Sequence, residues 1–361
     1  MAKRLGILTG GGDCPGLNAV IRAAAKTAYR HHYELIGFRD GYAGLVEGRY
    51  LQLDPPAISG LLHRGGTILG TNNRKDPFNY PVKENGRLSY RDMSDWAMER
   101  LQEMGIEVLL VVGGDGTLSG ARDFKHKGVR VIGIPKTIDN DLAATDQTFG
   151  FDTAVRTATD ALDKLHTTAE SHHRVMVLEL MGRYAGWIAL YSGLAGGADV
   201  ILIPEIPWHI DGVLAKIRAR QAEGKPFSIV VVAEGIKSPQ GELVVKRVVE
   251  DSAEKVRLGG AGQMVGKLIE ERGGIETRVT VLGHIQRGGS PSAYDRVLAT
   301  RFGQAAAELA IQGIHGVMVC LQGSEISHVP LEEAVSKLRT IPPDHQLIQT
   351  ARAIGISFGE I

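Results

Sequence analysis

Short apolar runs that stop at glycine and continue into a charged residue recur along this chain, and they restrict its fold more than any other feature. The sharpest is Leu109-Leu110-Val111-Val112, which runs into Gly113-Gly114-Asp115-Gly116-Thr117. Four consecutive apolar residues read as a strand buried on both faces, the habit of parallel sheets. The stretch from Leu118 to Phe124 can open a helix. A strand, a glycine loop and a helix start together hold phosphate. Glycine lets backbone N–H groups close on phosphate oxygens, and the helix N-terminus adds partial positive charge. Asp115 lies inside this loop, where a carboxylate repels phosphate unless a cation stands between them, which points to Mg2+. A tight turn with a capping aspartate fits the same local pattern.

The unit repeats at the N-terminus. Leu5 to Thr9 reads as a strand, Gly10-Gly11-Gly12-Asp13-Cys14-Pro15-Gly16 as its loop, and Leu17 to Arg30 as a helix with Asn18, Arg22 and Lys26 at helical spacing. Further strands are predicted at Glu34–Phe38, Arg130–Ile134, Val175–Leu180, Val200–Ile203, Ser228–Ala233, Glu276–Leu282 and, as the last, Val317–Leu321. Helices are predicted over Met93–Met104, Thr153–Ser171, a stretch after Trp187 ending at Ala195, Gly212–Glu223, Gly259–Glu271 and Ala293–Gln312. Gly41 to Leu45 reads as a turn with Tyr42 exposed, Ile58 to Leu62 as a short helix, and Leu243 to Asp251 as an irregular excursion. Gly70 to Pro77 is a polar loop whose Arg74 and Lys75 can reach a ligand. Strand and helix in alternation predict an α/β fold with parallel sheets, helices on both faces and ligands at the carboxyl ends of strands. Asp13, Asp115, Asp139, Arg183, Glu234, His284 and Arg287 all lie just after predicted strands.

Pro135-Lys136-Thr137-Ile138-Asp139-Asn140-Asp141 follows one of these strands directly. In an extended stretch alternate side chains share a face, so Asp139 and Asp141 are expected to meet one site with Thr137 beside them. One carboxylate then holds a metal while the other takes a proton. A turn with capping aspartates is the competing reading.

Composition narrows the function classes. The 361 residues are 43% hydrophobic and 23% charged, with Lys+Arg and Asp+Glu both 41, so no global field draws nucleic acid or an anionic membrane. The two cysteines, Cys14 and Cys320, stand far apart, which points to a reduced, cytoplasmic setting without a disulfide framework. The N-terminus is interrupted by Gly6 too early for a signal peptide, and no apolar run reaches the roughly 18 residues of a membrane span. No Cys/His spacing suggests zinc.

Taken together, the motifs resemble the bacterial-type 6-phosphofructokinases. GGGDCPGLNAVIRA from Gly10, GGTILG from Gly65, GGDGT from Gly113, PKTIDND from Pro135, SHHR from Ser171, MGRYAGW from Met181 and ETRVTVLGHIQRGG from Glu276 occur in the family's order over nearly the whole chain. GGDGT alone also resembles lipid and NAD kinases, which lack MGR and GHIQRGG. The resemblance implies two Rossmann-like three-layer domains with mainly parallel sheets and the active site in the cleft between them. Residues 1–151 with about 286–336 would bind the donor, and 152–285 with about 337–361 the sugar phosphate. It implies phosphoryl transfer to the C1 hydroxyl of fructose 6-phosphate, a step of glycolysis. Asp139 would be the general base and Thr137 would orient the hydroxyl. Asp115 would hold Mg2+ with Asp141 nearby. Gly11 and Arg74 would touch the transferred group. Gly113, Gly114, Gly116 and Thr117 would cradle the donor, with Lys75 and Lys136 beside it. Met181, Gly182, Arg183 and Glu234 would bind the sugar, and His284 and Arg287 its 6-phosphate. Arg174 and Arg278 resemble residues lent by a neighbouring subunit, which implies a homodimer or homotetramer.

Two positions bear on the donor. In the family a glycine at the place of Gly116 leaves room for the α-phosphate of ATP, and Tyr42 can stack on adenine. Lys136 resembles the pyrophosphate-using members, so pyrophosphate is the competing donor. The combination resembles a subgroup that uses ATP. A non-catalytic sugar-phosphate-binding subunit should have lost its base or metal ligand, yet Asp139, Asp115 and Arg183 all stand. The loop Thr71-Asn72-Asn73-Arg74 is one residue longer than in the commonest members. Arg22 and Lys26 keep part of the family's effector site, but Pro55 and His166 stand where it has arginines, which argues against control by phosphoenolpyruvate or ADP. The resemblance leaves the tail beyond about Leu338 unassigned.

Overall fold

The computed structural model describes residues 3–84, 87–248 and 256–361. The first part of the chain runs β1 (Lys3–Thr9), α1 (Leu17–Arg30), β2 (Tyr33–Phe38), α2 (Tyr42–Glu47), β3 (Tyr50–Gln52), β4 (Tyr80–Glu84), β5 (Arg87–Arg91), α3 (Ser94–Glu103), β6 (Ile106–Gly113), α4 (Asp115–His126) and β7 (Val131–Pro135). The middle runs α5 (Phe151–His172), β8 (Val175–Leu180), α6 (Trp187–Ala195), β9 (Val200–Leu202), α7 (Ile210–Ala222), β10 (Ser228–Ala233), β11 (Val245–Val248), β12 (Val256–Leu258), α8 (Ala261–Gly273) and β13 (Thr277–Val281). A 3-10 turn, Gly283–Arg287, leads to α9 (Ala293–Ile311), β14 (Val317–Gln322), β15 (Glu325–Pro330), α10 (Leu331–Ala334) and α11 (Gln346–Ala353).

Among the described residues the strands form a seven-stranded sheet, β15-β14-β7-β6-β1-β2-β3, and a four-stranded sheet, β13-β8-β10-β9. From β14 to β2 the large sheet is parallel, and β15 and β3 close its edges antiparallel. The small sheet is parallel throughout. Leu109 to Val112 are fully buried at the centre of the large sheet, as expected of strands covered on both faces. One helix layer is pinned by small residues. A Cβ at Gly303 of α9 would stand 2.5 Å from the Val20 carbonyl of α1, so these helices meet at backbone distance. The C-terminal tail returns to the small sheet, where Ser357 bridges Val200. No helix among the described residues is long and apolar enough to cross a membrane.

Several expectations are corrected. Gly41 to Leu45 is not an open turn but the start of α2, and Tyr42 is buried at 7% exposure, packed 5.7 Å from Phe124. Residues 58–62 form turns rather than a helix. Val317–Gln322 is not the last strand, since β15 pairs back on it. The excursion from Leu243 contains β11, which pairs with β12, while residues 249–255 lie outside the described residues.

Candidate active site

The two glycine loops leave adjacent parallel strands, with Thr9 in register with Val112. Gly10 N–H donates to the Val112 carbonyl at 2.9 Å. Thr117 fills the space between them. A Cβ at Gly10 would lie 2.6 Å from Thr117 Cγ2, and one at Gly113 only 2.3 Å from Thr117 Cβ, so both positions require glycine for close approach. The helix opens three residues earlier than the sequence suggests: α4 starts at Asp115, not after Leu118. Asp115 thus faces out from a helix N-terminus, which favours its charge, while burial pushes its carboxyl above the ordinary range and Arg122 opposes that. The Tyr42 hydroxyl donates to the Thr117 carbonyl at 2.8 Å. Its buried ring supports the loop from behind and has no free face for adenine.

The loop carrying Arg74 docks on the first glycine loop. Thr71 Oγ1 donates to the Gly11 carbonyl at 2.6 Å, and Gly11 N–H donates to the Asn72 carbonyl at 3.2 Å. Arg74 is exposed, its N–H donating to Asn72 Oδ1 at 2.7 Å. Lys75 is ion-paired with Glu47. Burial opposes ionisation of Glu47, but hydrogen bonds from Lys75, Tyr80 and Arg49 outweigh it and hold the carboxyl at about 2.

The third loop, after β7, is stitched to the second by Lys136 N–H donating to the Gly113 carbonyl at 3.0 Å. It is not extended. Asn140 has φ 53°, so Asp139 and Asp141 do not share a face through a two-residue repeat. The Thr137 hydroxyl joins them instead. It accepts the Asp139 N–H at 3.0 Å and hydrogen-bonds the Asp141 carboxylate. Burial raises the Asp141 carboxyl and Asp115 adds to this, while Thr137 and Lys136 oppose it. Thr148 closes the turn, donating its N–H to Asn140 Oδ1 at 3.0 Å and its hydroxyl to the Thr137 carbonyl at 2.6 Å. Lys136 is 3% exposed and its Nζ donates to the Gly12 carbonyl, so it underpins the first glycine loop. Burial lowers its pKa, most strongly opposed by Cys14.

The small sheet supplies a second group of strand ends. Met181-Gly182-Arg183 follow β8, and Glu234-Gly235 follow β10. Gly235 N–H donates to the Gly182 carbonyl at 3.1 Å, and Glu234 N–H to the Leu180 carbonyl at 2.8 Å. Burial first, and then Glu179, push the Glu234 carboxyl up to about 7, with Arg287 and Arg183 pulling it down. The 3-10 turn after β13 carries an exposed His284 and Arg287. Arg287 Nη1 donates to the Asp13 carbonyl at 3.2 Å, and a Cβ at Gly12 would lie 2.6 Å from it. Arg287 therefore spans from the small sheet's side to the first glycine loop.

Residues 4–310 match the family model described as phosphofructokinase. The chain belongs to the phosphofructokinase family. It is 53% identical to "ATP-dependent 6-phosphofructokinase 2" of Clostridium perfringens, covering 99% of both chains. It is 52% identical to "ATP-dependent 6-phosphofructokinase" of Chloroflexus aggregans over 99% of this chain and 98% of that one. "Pyrophosphate--fructose 6-phosphate 1-phosphotransferase" of Streptomyces coelicolor is 50% identical over 99% and 100%. Among solved structures, phosphofructokinase of Pichia pastoris in the T-state superposes with TM-score 0.81 at 31% identity, covering 98% of this chain and 36% of that longer one. A pyrophosphate-dependent phosphofructokinase of Marinobacter aquaeolei shares the fold at TM-score 0.79 and 22% identity, covering 98% and 92%.

Within this phosphofructokinase fold, two residues expected at the site stand apart from it. Arg174 precedes β8 and Arg278 lies in β13 opposite Met176, whereas Met181 to Arg183 leave the other end of β8. A strand of that length separates Arg174 from Arg183 by about 20 Å. Both arginines pair with Glu276, at 2.9 and 2.5 Å. Sequence reasoning missed Glu179 and Thr148 as supports, and placed Asn18 on its helix without its contacts. Glu179, buried at 2%, accepts the Gly262 N–H at 2.7 Å and stands beside Glu234. Asn18 accepts the Ile68 N–H at 2.9 Å and donates to the Arg64 and Gly65 carbonyls. Thr148 closes the turn that carries Asp139. Only Glu179 left a local signal, a carboxylate in the otherwise apolar strand Val175–Leu180. No group of three or more His, Cys, Asp or Glu able to hold a metal occurs among the described residues. Asp115 adds to the field at Asp141, so these two carboxylates are the ones that could hold Mg2+.

Proposed function

We propose that this chain transfers the terminal phosphoryl group of ATP to the C1 hydroxyl of fructose 6-phosphate, giving fructose 1,6-bisphosphate and ADP in glycolysis. The observation that carries the reading is the convergence at strand ends of two glycine loops, the Thr137–Asp141 turn and the Arg183–Glu234–Arg287 group. The loop from Gly113 to Thr117 at the N-terminus of α4 receives the donor phosphates, with the first glycine loop at Gly11 beside it. Asp139 takes the proton of the C1 hydroxyl and Thr137 orients it, as the C1 oxygen bonds to phosphorus and the bond to the ADP oxygen breaks. Arg74 and Gly11 bear on the charge spread over the transferred group. Met181, Gly182, Arg183 and Glu234 hold the sugar, and His284 and Arg287 the 6-phosphate. Asp115, with Asp141 near, would hold Mg2+, which supplies positive charge to the donor phosphates.

The donor assignment rests on two positions. A Cβ at Gly116 would meet nothing within 4 Å, so this space is open to a nucleotide phosphate. Lys136 is engaged behind the Gly12 carbonyl. Pyrophosphate is the second reading, favoured by the presence of Lys136 and by the Streptomyces coelicolor relative. We assign residues 1–151 with about 286–336 to donor binding and 152–285 with about 337–361 to sugar binding. The distance of Arg174 and Arg278 from their own chain's loops supports a homodimer or homotetramer in which a neighbour lends them. Product identity tests the reaction. With fructose 6-phosphate, ATP and Mg2+, phosphorus NMR should resolve phosphate on both C1 and C6. ADP release with no C1 phosphate would reject it, and no turnover with either ATP or pyrophosphate would favour a non-catalytic sugar-phosphate binder.

A further inference from the structure

The tail lies beyond the residues 4–310 that match the family model, and part of it returns to the turn that carries Asp139. Leu338 bridges Leu142 antiparallel. Arg339 N–H donates to the Asp141 carbonyl at 2.8 Å, and Arg339 Nη1 to the Asp146 carbonyl at 2.7 Å. Backbone and side chain of one residue thus grip the chain at both 141 and 146. The other contacts of this strap belong to the sugar side. The Arg339 guanidinium stacks 4.5 Å from the Trp187 ring centre, and Trp187 Nε1 donates to the Arg339 carbonyl at 3.0 Å. Trp187 opens α6 directly after the loop that carries Arg183. Two residues on, Ile341 N–H donates to Glu205 Oε1 at 3.0 Å, and the same carboxylate accepts the Gly186 N–H at 3.0 and 3.1 Å. Trp187 and Ile341 are each 1% exposed, so the strap is part of the packed interior.

We infer that Arg339 is a positioning residue, which fixes the turn bearing Asp139 relative to the loop bearing Arg183. The inference rests on the proposed role of Asp139 as base. A planar guanidinium donates in its plane and stacks through its face, so it can hold both partners at once. A lysine keeps the charge but cannot do both. Displacement of reacting groups by about 1 Å is enough to lower turnover by orders of magnitude.

The test compares Arg339→Ala, Arg339→Lys and, as a control for general destabilisation, Ile348→Ala, which removes a buried side chain of α11. Amide hydrogen exchange over 137–149 is read on the full chain without substrate, and kcat and KM are read separately. For Arg339→Ala we expect faster exchange confined to that segment, kcat lower by about 10- to 100-fold and KM for fructose 6-phosphate within about threefold. Arg339→Lys should fall between, and Ile348→Ala should leave both the segment's exchange and kcat near wild type. Unchanged exchange, kcat within twofold of wild type, or an equal kcat loss in Ile348→Ala would each overturn the inference. A wild-type chain inactive with every donor would reject the proposed function instead, while the exchange comparison still decides whether Arg339 holds the turn.

Discussion

Asp139 owes its placement to a backbone turn more than to the spacing of its neighbours. Asn140 in the left-handed region bends the chain, Thr148 closes it, and the Thr137 hydroxyl receives the Asp139 N–H. If Asp139 is the base, Asp139→Ala should lower kcat by about 10²-fold or more with KM for the sugar changed only a few-fold. Turnover within a few-fold of wild type would remove the assignment. At this scale the sequence was informative wherever a charge directly follows a strand. Asp115, Asp139, Arg183 and Glu234 could be picked out because each lies just after a buried run, although a capping turn fits the same local pattern at Asp115 and Asp139. The extended geometry assumed for Asp139 and Asp141 was wrong, because a positive φ at asparagine leaves no pattern in the side chains. Tyr42 was misplaced for a related reason. Its burial depends on Phe124 and Thr117, some 80 residues away in sequence.

At the scale of elements, the ends of β8 and β10 create a pH response. Glu234 is pushed up to about 7 from an ordinary 4.5, by burial first and Glu179 second. Between those two values the folded chain holds a proton that the unfolded chain has released. Stability is therefore full below about 4.5 and falls as pH rises through about 7, by about 3 kcal/mol in all for this group. The melting temperature of the free protein should fall between about pH 4.5 and 7, and Glu234→Gln should flatten the slope. Asp295, raised to about 6 chiefly by burial, adds a smaller fall that Glu234→Gln leaves in place. Parallel curves for wild type and Glu234→Gln would contradict the burial of this carboxylate. Buried parallel strands were the most legible elements, and α1, β8 and β10 fall where their apolar patterns put them. The hairpin of β4 and β5 was not, because it is largely exposed, includes Pro81 and carries charges on both strands. Helix α2 was hidden by its glycines. Gly44 is needed there because a Cβ would meet the Arg39 carbonyl at 1.9 Å.

At the scale of the whole molecule, one chain holds most of its proposed site and presents Arg174 and Arg278 at the far end of the small sheet. Complementation tests whether a neighbour borrows them. Arg174→Ala and Asp139→Ala chains should each be nearly inactive alone, and mixed assemblies should regain part of the activity through sites that pair one intact contribution from each chain. Mixtures no more active than their parents, or an active monomer by light scattering, would place these arginines outside catalysis. The central claim is that the open space at Gly116 makes this chain an ATP enzyme despite Lys136. The direct measurement is the initial rate with fructose 6-phosphate and Mg2+, with ATP in one reaction and pyrophosphate in the other. Turnover with ATP and little or none with pyrophosphate is the predicted result. Turnover with pyrophosphate alone would contradict it, and would mean that Lys136 outranks the room at Gly116.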